Sequence, residues 1–176
     1  MAAVALRSMI PLRVLTLALS VSAVGQLASC DDRSDDAKTA PVTIGEKKFT
    51  LELALDYETR FKGLSKRTKV DADKGMLFVF PEAQRLEFVM RDCGIPIDII
   101  FLDGSGRVLA QHAMKAEAPR KEKESDEAYN ARLTRYSSRY PAQFAVELAG
   151  GRNKELGVKE GDLVRLDTED LKKRAK

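Results

Sequence analysis

At 176 residues the chain has room for one domain and no second sizeable core. Hydrophobic residues make up 44% of it and charged residues 32%, which describes an ordinary folded body and excludes disorder along the whole length. The formal charge is +3 and falls to +1 once Arg7 and Arg13 are removed with the segment described next, so nucleic acid is not an expected partner.

Arg7 and Arg13 precede the apolar run 14–24, VLTLALSVSAV. That run is shorter than the ~20 residues needed to span a bilayer, and with its basic flank it reads as an export signal over residues 1–29. Leu27-Ala28-Ser29-Cys30 looks like the bacterial lipobox, an aliphatic residue and two small ones before a cysteine. The small residues suit a peptidase that admits extended backbone at the membrane face, and the Cys30 thiol would carry the lipid. The competing reading is an ordinary signal with a chance cysteine, and the combined pattern favours the lipoprotein. Acyl chains contribute about 0.8 kcal/mol per buried methylene, so a multiply acylated Cys30 would hold the protein at a membrane. Asp31 follows, and in enteric-type bacteria that resemblance implies retention at the inner membrane, on its periplasmic face. The next ten residues, DDRSDDAKTA, have nothing to bury and read as a tether of roughly 15 to 20 Å, with residues 30–47 as lipidated cysteine and linker, 48–167 as a single β-rich domain and 168–176 as a basic tail.

Phe49, Leu51, Leu53 and Leu55 alternate with Thr50, Glu52 and Ala54, the period of a half-buried strand. Asp56 can cap a short helix ending near Lys66, on which Tyr57, Phe61 and Leu64 fall at i, i+4 and i+7. The apolar run Met76 to Phe80 is stopped by Pro81, and Leu86 to Met90 is a further strand. Ile95 to Leu102, the turn Asp103-Gly104-Ser105-Gly106, and Arg107 to Met114 form a hairpin, which implies antiparallel pairing. Between Ala116 and Pro141 lies a charged insertion, where Ser125 can start a helix carrying Tyr129, Leu133 and Tyr136. Ala142 to Leu148 alternates again, and Leu163 to Leu166 follows a turn at 159–162. The expected fold is mostly β (α+β): a compact antiparallel barrel or sandwich with one or two short helices and a partly helical insertion.

An ordered series of residues then carries a resemblance: Arg60, Gly63-Leu64, Arg67, the run 75–81 (GMLFVFP), Phe88, Met90 and the run 95–99 (IPIDI). Tyr136-Ser137, Pro141-Ala142, Val146-Glu147-Leu148, Gly150 and the run 157–162 (GVKEGD) continue it. Their order and spacing resemble the family called domain of unknown function 192, over nearly all of the chain after Thr50. What the resemblance implies is a compact, mostly antiparallel β domain, often exported or membrane-tethered, with no activity attached. The family's usual aromatic-Trp-Met-Lys-Asn-Thr stretch reads Phe88-Val89-Met90-Arg91-Asp92-Cys93 here, which keeps a basic residue at Arg91 and replaces the tryptophan, amide and hydroxyl. Ser65 also stands where methionine is usual.

Asp98 shares one strand face with Ile100 and Leu102, so a carboxylate is set among apolar neighbours. Its burial calls for an arginine, with Arg60, Arg67 and Arg91 as candidates, for a backbone-capping role, or for protonation. Glu147 lies off the face of Phe144, Val146 and Leu148 and could join Asp98 as a paired-carboxylate site. Arg60, Met90, Arg91 and Asp98 are the candidate binding residues, and Asp98, Glu147 and Arg91 the candidate catalytic ones. Cys93 is the only thiol besides Cys30 and reads as a buried small hydrophobe sooner than a reactive group. With one histidine, His112, a metal centre is not expected, and no cofactor is implied. Asp92 beside Cys93 would raise the thiol pKa and disfavours a Cys93–His112 nucleophile. Gly104 and Gly106 belong to a hairpin and form no phosphate loop.

Two functions from different classes follow. The favoured one is a non-enzymatic envelope module that binds a small ligand, a glycan or a neighbouring protein; the alternative is an envelope hydrolase using Asp98 and Glu147, against which the missing nucleophile and base count.

Overall fold

The computed structural model describes residues 38–176, so Cys30, the export signal and Asp31 lie outside the described residues. Six strands build one mixed sheet: β1 (Thr39–Ile44), β2 (Lys47–Ala54), β3 (Lys74–Phe88), β4 (Ile97–Leu102), β5 (Val108–Met114) and β6 (Tyr136–Ala149). Their order across the sheet is β1-β2-β3-β6-β4-β5. The 103–106 turn closes the β4–β5 hairpin as expected, with Asp103 Oδ1 accepting from the Ser105 and Arg107 amides. All pairings are antiparallel except β2 with β3, which run parallel, so the expected mostly antiparallel β fold is realised as a mixed sheet. The sheet stays open and sandwich-like. Its two edges are nonetheless met by one short segment, since Arg165 bridges Thr43 in β1 and Leu163 bridges Arg107 just before β5.

Period-two alternation divides the apolar residues into two cores, one on each face of the sheet. Leu51, Leu77, Ile100, Phe144, Val146 and Leu148 fill one. Met76, Phe78, Ile97, Ile99, Phe101 and Ala145 fill the other, together with Leu64, Met90 and Cys93 from loops. Pro81 does not stop its strand. β3 runs on to Phe88 because the ladder to β6 breaks between Val79 and Gln84, so the missing proline amide is never needed. Leu86 and Phe88 are therefore the far arm of one long strand.

Three further boundaries move. β1 occupies part of the segment expected as linker, with Val42 and Ile44 buried in the first core. The segment expected as a basic tail forms a helix, and its Leu171 is buried in the same core. In the insertion, Ser125 caps a helix over Asp126–Arg132 by accepting from the Ala128 amide, but Tyr136 already belongs to β6.

Helices are labelled α1 (Tyr57–Lys62), α2 (Asp126–Arg132), α3 (Arg152–Leu156) and α4 (Thr168–Arg174). In α1 the Asp56 carboxylate accepts from the Thr59 amide at 2.8 Å and Gly63, at φ +49°, returns its N–H to the Thr59 carbonyl. The helix thus ends at Lys62, short of Lys66. Of its three aromatic and aliphatic positions only Leu64, just beyond the helix, packs inside. Tyr57 and Phe61 stack on each other with 68% and 58% of their surfaces exposed, which corrects the expected three-residue apolar face. No helix among the described residues is long and apolar enough to cross a membrane.

Candidate functional site

A cavity of about 390 Å3 opens between α1 and the second face of the sheet. Its walls are apolar and aromatic, from Phe61 and Leu64 on the α1 side and Phe78, Phe80, Phe88 and Met90 on the other. Phe78 and Phe88 meet edge to face at 4.9 Å between centroids, and Phe88 meets Phe101 the same way at 5.5 Å, so the rings behind the wall are locked.

Glu147 stands in this cavity because alternation along β6 puts it on the face of Ala145, between Met76 of β3 and Ile99 of β4. Gly75 lets β3 come close beside it, since a Cβ there would strike the Glu147 carbonyl oxygen. Above, a Cβ at Gly63 would lie 3.4 Å from Phe78 Cζ and 3.8 Å from Glu147 Oε2. Glu147 is 7% exposed, and among the described residues no hydrogen-bond donor or ion-pair partner meets its carboxyl group. Desolvation pushes its pKa up to about 8, so at neutral pH the floor of the cavity carries a protonated carboxylic acid, a hydrogen-bond donor. Cys93 lines the same cavity. Burial pushes its thiol pKa up, the neighbouring Glu147 charge adds to this, and the thiol donates to the Ile95 carbonyl at 3.5 Å. His112 Nε2 meets the Ser137 carbonyl oxygen at 2.8 Å, so Cys93 and His112 each bond elsewhere.

The cations around the mouth are unequally committed. Arg60 donates to the carbonyls of Leu55, Val79 and Lys176 at 2.7, 2.9 and 2.8 Å and lies over the Phe80 ring, which makes it a brace between three segments. Its pKa is lowered by burial. Arg135 reaches Glu87 at 3.4 Å. Arg91 lies over the Phe61 ring at 5.1 Å, and its guanidinium N–H groups meet no acceptor among the described residues.

Asp98 is not part of this cavity. The register pairs it with Leu148 and pairs Ile99 with Glu147, so Asp98 and Glu147 project from opposite faces of the sheet and the expected carboxylate pair does not form. Nor does Asp98 meet an arginine. At 2% exposure its Oδ2 accepts from the Asn153 amide at 2.6 Å, capping α3, whose own N-cap Gly151 has no side chain to offer. Of the three alternatives for Asp98 the backbone-capping one is what the structure holds. Arg67 is bidentate to Glu52 instead, at 2.7 and 2.6 Å.

The cavity thus gathers Glu147, Arg91, Met90 and Arg60 and leaves Asp98 out. Sequence reasoning missed the roof, Gly63, and the aromatic wall. The Phe61 and Phe80 signals were present as apolar positions, but nothing local marks which of them face a void.

The sequence model of a family described as DUF192, uncharacterized ACR, matches residues 40–166. Two solved structures are similar. One is a candidate transcription regulator from Sinorhizobium meliloti, 27% identical, with a TM-score of 0.59 over 74% of this chain and 93% of that one. The other is a protein of unknown function from Novosphingobium aromaticivorans, 29% identical, with a TM-score of 0.59 over 72% of this chain and 84% of that one. No curated protein matches.

Proposed function

Since the chain belongs to the uncharacterised DUF192 family, its activity has to be sought in its own geometry, and we propose that it is a non-enzymatic module binding a small, partly apolar ligand in the cavity under α1. The observation that carries this reading is Glu147: a polar group nine-tenths buried, without a protein partner, lining a cavity of the size that accepts small molecules. A carboxyl group at the inner end of an open cavity, bonded to no protein group, is free to bond a molecule that enters. Binding is preferred to hydrolysis because Asp98 and Glu147 are separated by the sheet and the Cys93 thiol has neither a base nor a lowered pKa.

We further propose that the module works at a bacterial membrane, anchored through acylated Cys30 after removal of residues 1–29, with Asp31 favouring the periplasmic face of the inner membrane. The lipobox-like Leu27-Ala28-Ser29-Cys30 supports this. Cys30→Ala is expected to leave the protein unprocessed or free of the membrane fraction, and metabolic labelling with a palmitate analogue that still marked the variant would overturn it.

Ligand binding is tested by titrating the protein with the uncharged fluorophore N-phenyl-1-naphthylamine. One-site, saturable enhancement is expected, lost in Val89→Trp, where the new ring crowds the cavity while the urea midpoint is kept. Absence of saturable binding by this probe and by charged analogues would sink the reading.

A further inference from the structure

Resting on that reading, we infer that the cavity selects organic anions: an apolar body between Phe61, Leu64 and Met90, the anionic group on Arg91 at the mouth, and a carbonyl, ether or hydroxyl oxygen at the inner end accepting from Glu147.

The charge layout carries this. Arg60 and Lys62 from α1, Arg91 and Arg135 from the loops on either side, and Glu87 from β3 line the cavity with Glu147, leaving a positive excess. Three of the five Arg60 donors are already taken by main-chain oxygens, its guanidinium lies over Phe80, and Arg135 is shared with Glu87. The excess therefore rests on Lys62 and above all on Arg91, whose forked donors suit a carboxylate, sulfonate or phosphate and are held in place by the ring of Phe61.

The opposite assignment, an organic cation in an aromatic cage with Glu147 as counter-ion, fits poorly. The rings of Phe61 and Phe80 are already covered by the protein's own guanidinium groups, and the inner carboxyl holds its proton at neutral pH. Met76 from β3, Ile99 from β4 and Gly63 just after α1 bring no charge to Glu147, and the titratable group packed beside it is Cys93. Ionisation of Glu147 would place a negative charge at the end of the ligand where a donor is wanted. Anion binding should accordingly be level in neutral solution and fall as pH rises past about 8.

The test compares 1-anilinonaphthalene-8-sulfonate with its uncharged parent N-phenyl-1-naphthylamine and a trimethylammonium analogue on the same ring system, using the full chain. At pH 7 the sulfonate should bind about tenfold tighter than the parent, and Arg91→Ala should remove that advantage without weakening the parent. Glu147→Gln, which keeps a neutral donor, should abolish the loss of sulfonate affinity between pH 7 and 9.5, whereas Cys93→Ala should keep it. A parent that binds as well as the sulfonate, a preferred trimethylammonium probe, an Arg91→Ala protein with intact sulfonate affinity, or a Glu147→Gln protein with the same pH slope would each overturn the anion assignment and leave cavity binding standing. Failure of all three probes would strike the cavity reading itself.

Discussion

The backbone amide of Asn153 donates to Oδ2 of Asp98 at 2.6 Å, across 55 positions of sequence, and in doing so a strand side chain caps a helix that cannot cap itself. Replacing Asp98 by alanine orphans that buried amide. A cost of roughly 1 to 3 kcal/mol is expected, below the 3 to 5 kcal/mol that would follow from stranding a buried arginine. Urea unfolding of Asp98→Ala should show a lower midpoint at unchanged m-value, and Asp98→Asn, which keeps an acceptor, should recover part of it. An unmoved midpoint for Asp98→Ala would show that the cap contributes nothing.

Glu147 makes stability fall with rising pH. Its folded pKa of about 8 lies above the ordinary value of 4.5, so the folded state holds the proton more tightly than the unfolded one between those values. The native state is therefore least penalised below about pH 4.5, loses stability from there to about pH 8, and is level in this respect above it. The full span is on the order of a few kcal/mol. Glu147→Gln should be more stable than the parent at pH 8 and nearly equal to it at pH 4.5, as read from urea midpoints across that range; parallel curves would refute the assignment.

Arg60 braces Leu55, Val79 and Lys176 through their carbonyl oxygens. Arg60→Ala should lower stability by about 1 to 3 kcal/mol and speed amide exchange in α4 ahead of the sheet. Uniform exchange across all elements would mean that the brace holds nothing in particular.

Leu171 sits on α4 and is buried against the first core. Leu171→Ala should cost about 2 to 5 kcal/mol through the cavity it leaves, whereas Lys173→Ala on the same helix should be close to neutral. Thermal melts of the two variants check this, and equal melting temperatures would return residues 168–176 to the status of a tail.

The pattern of legibility is physical. Alternation placed Glu147 off the Phe144, Val146, Leu148 face, and the caps at Asp56 and Ser125 announce themselves by residue type. The β4–β5 hairpin is legible for the same local reason. The partner of Asp98 is not, because it is a main-chain amide, and a main-chain amide at position 153 looks like any other. Pro81 misled because its effect depends on whether the neighbouring strand wants a donor there, and the break in the β3–β6 register removes that demand. Likewise the parallel β2–β3 pairing joins strands separated by α1, and no residue in either marks the direction of its neighbour. The exposed Tyr57–Phe61 stack defeats a periodicity argument, since helical spacing states that residues share a face and is silent on what that face meets.

The bridges from Leu163 to Arg107 and from Arg165 to Thr43 carry a consequence for the order of events in synthesis. A chain growing from its N-terminus presents both outer rims of the sheet, at β1 and at β5, with unsatisfied amides and carbonyls until residues 163–165 emerge. Among the described residues the stitch comes from nearly the last segment made, followed only by the helix whose Leu171 plugs the core beneath it. A chain cut before residue 163 is thus a sticky, incompletely hemmed sheet.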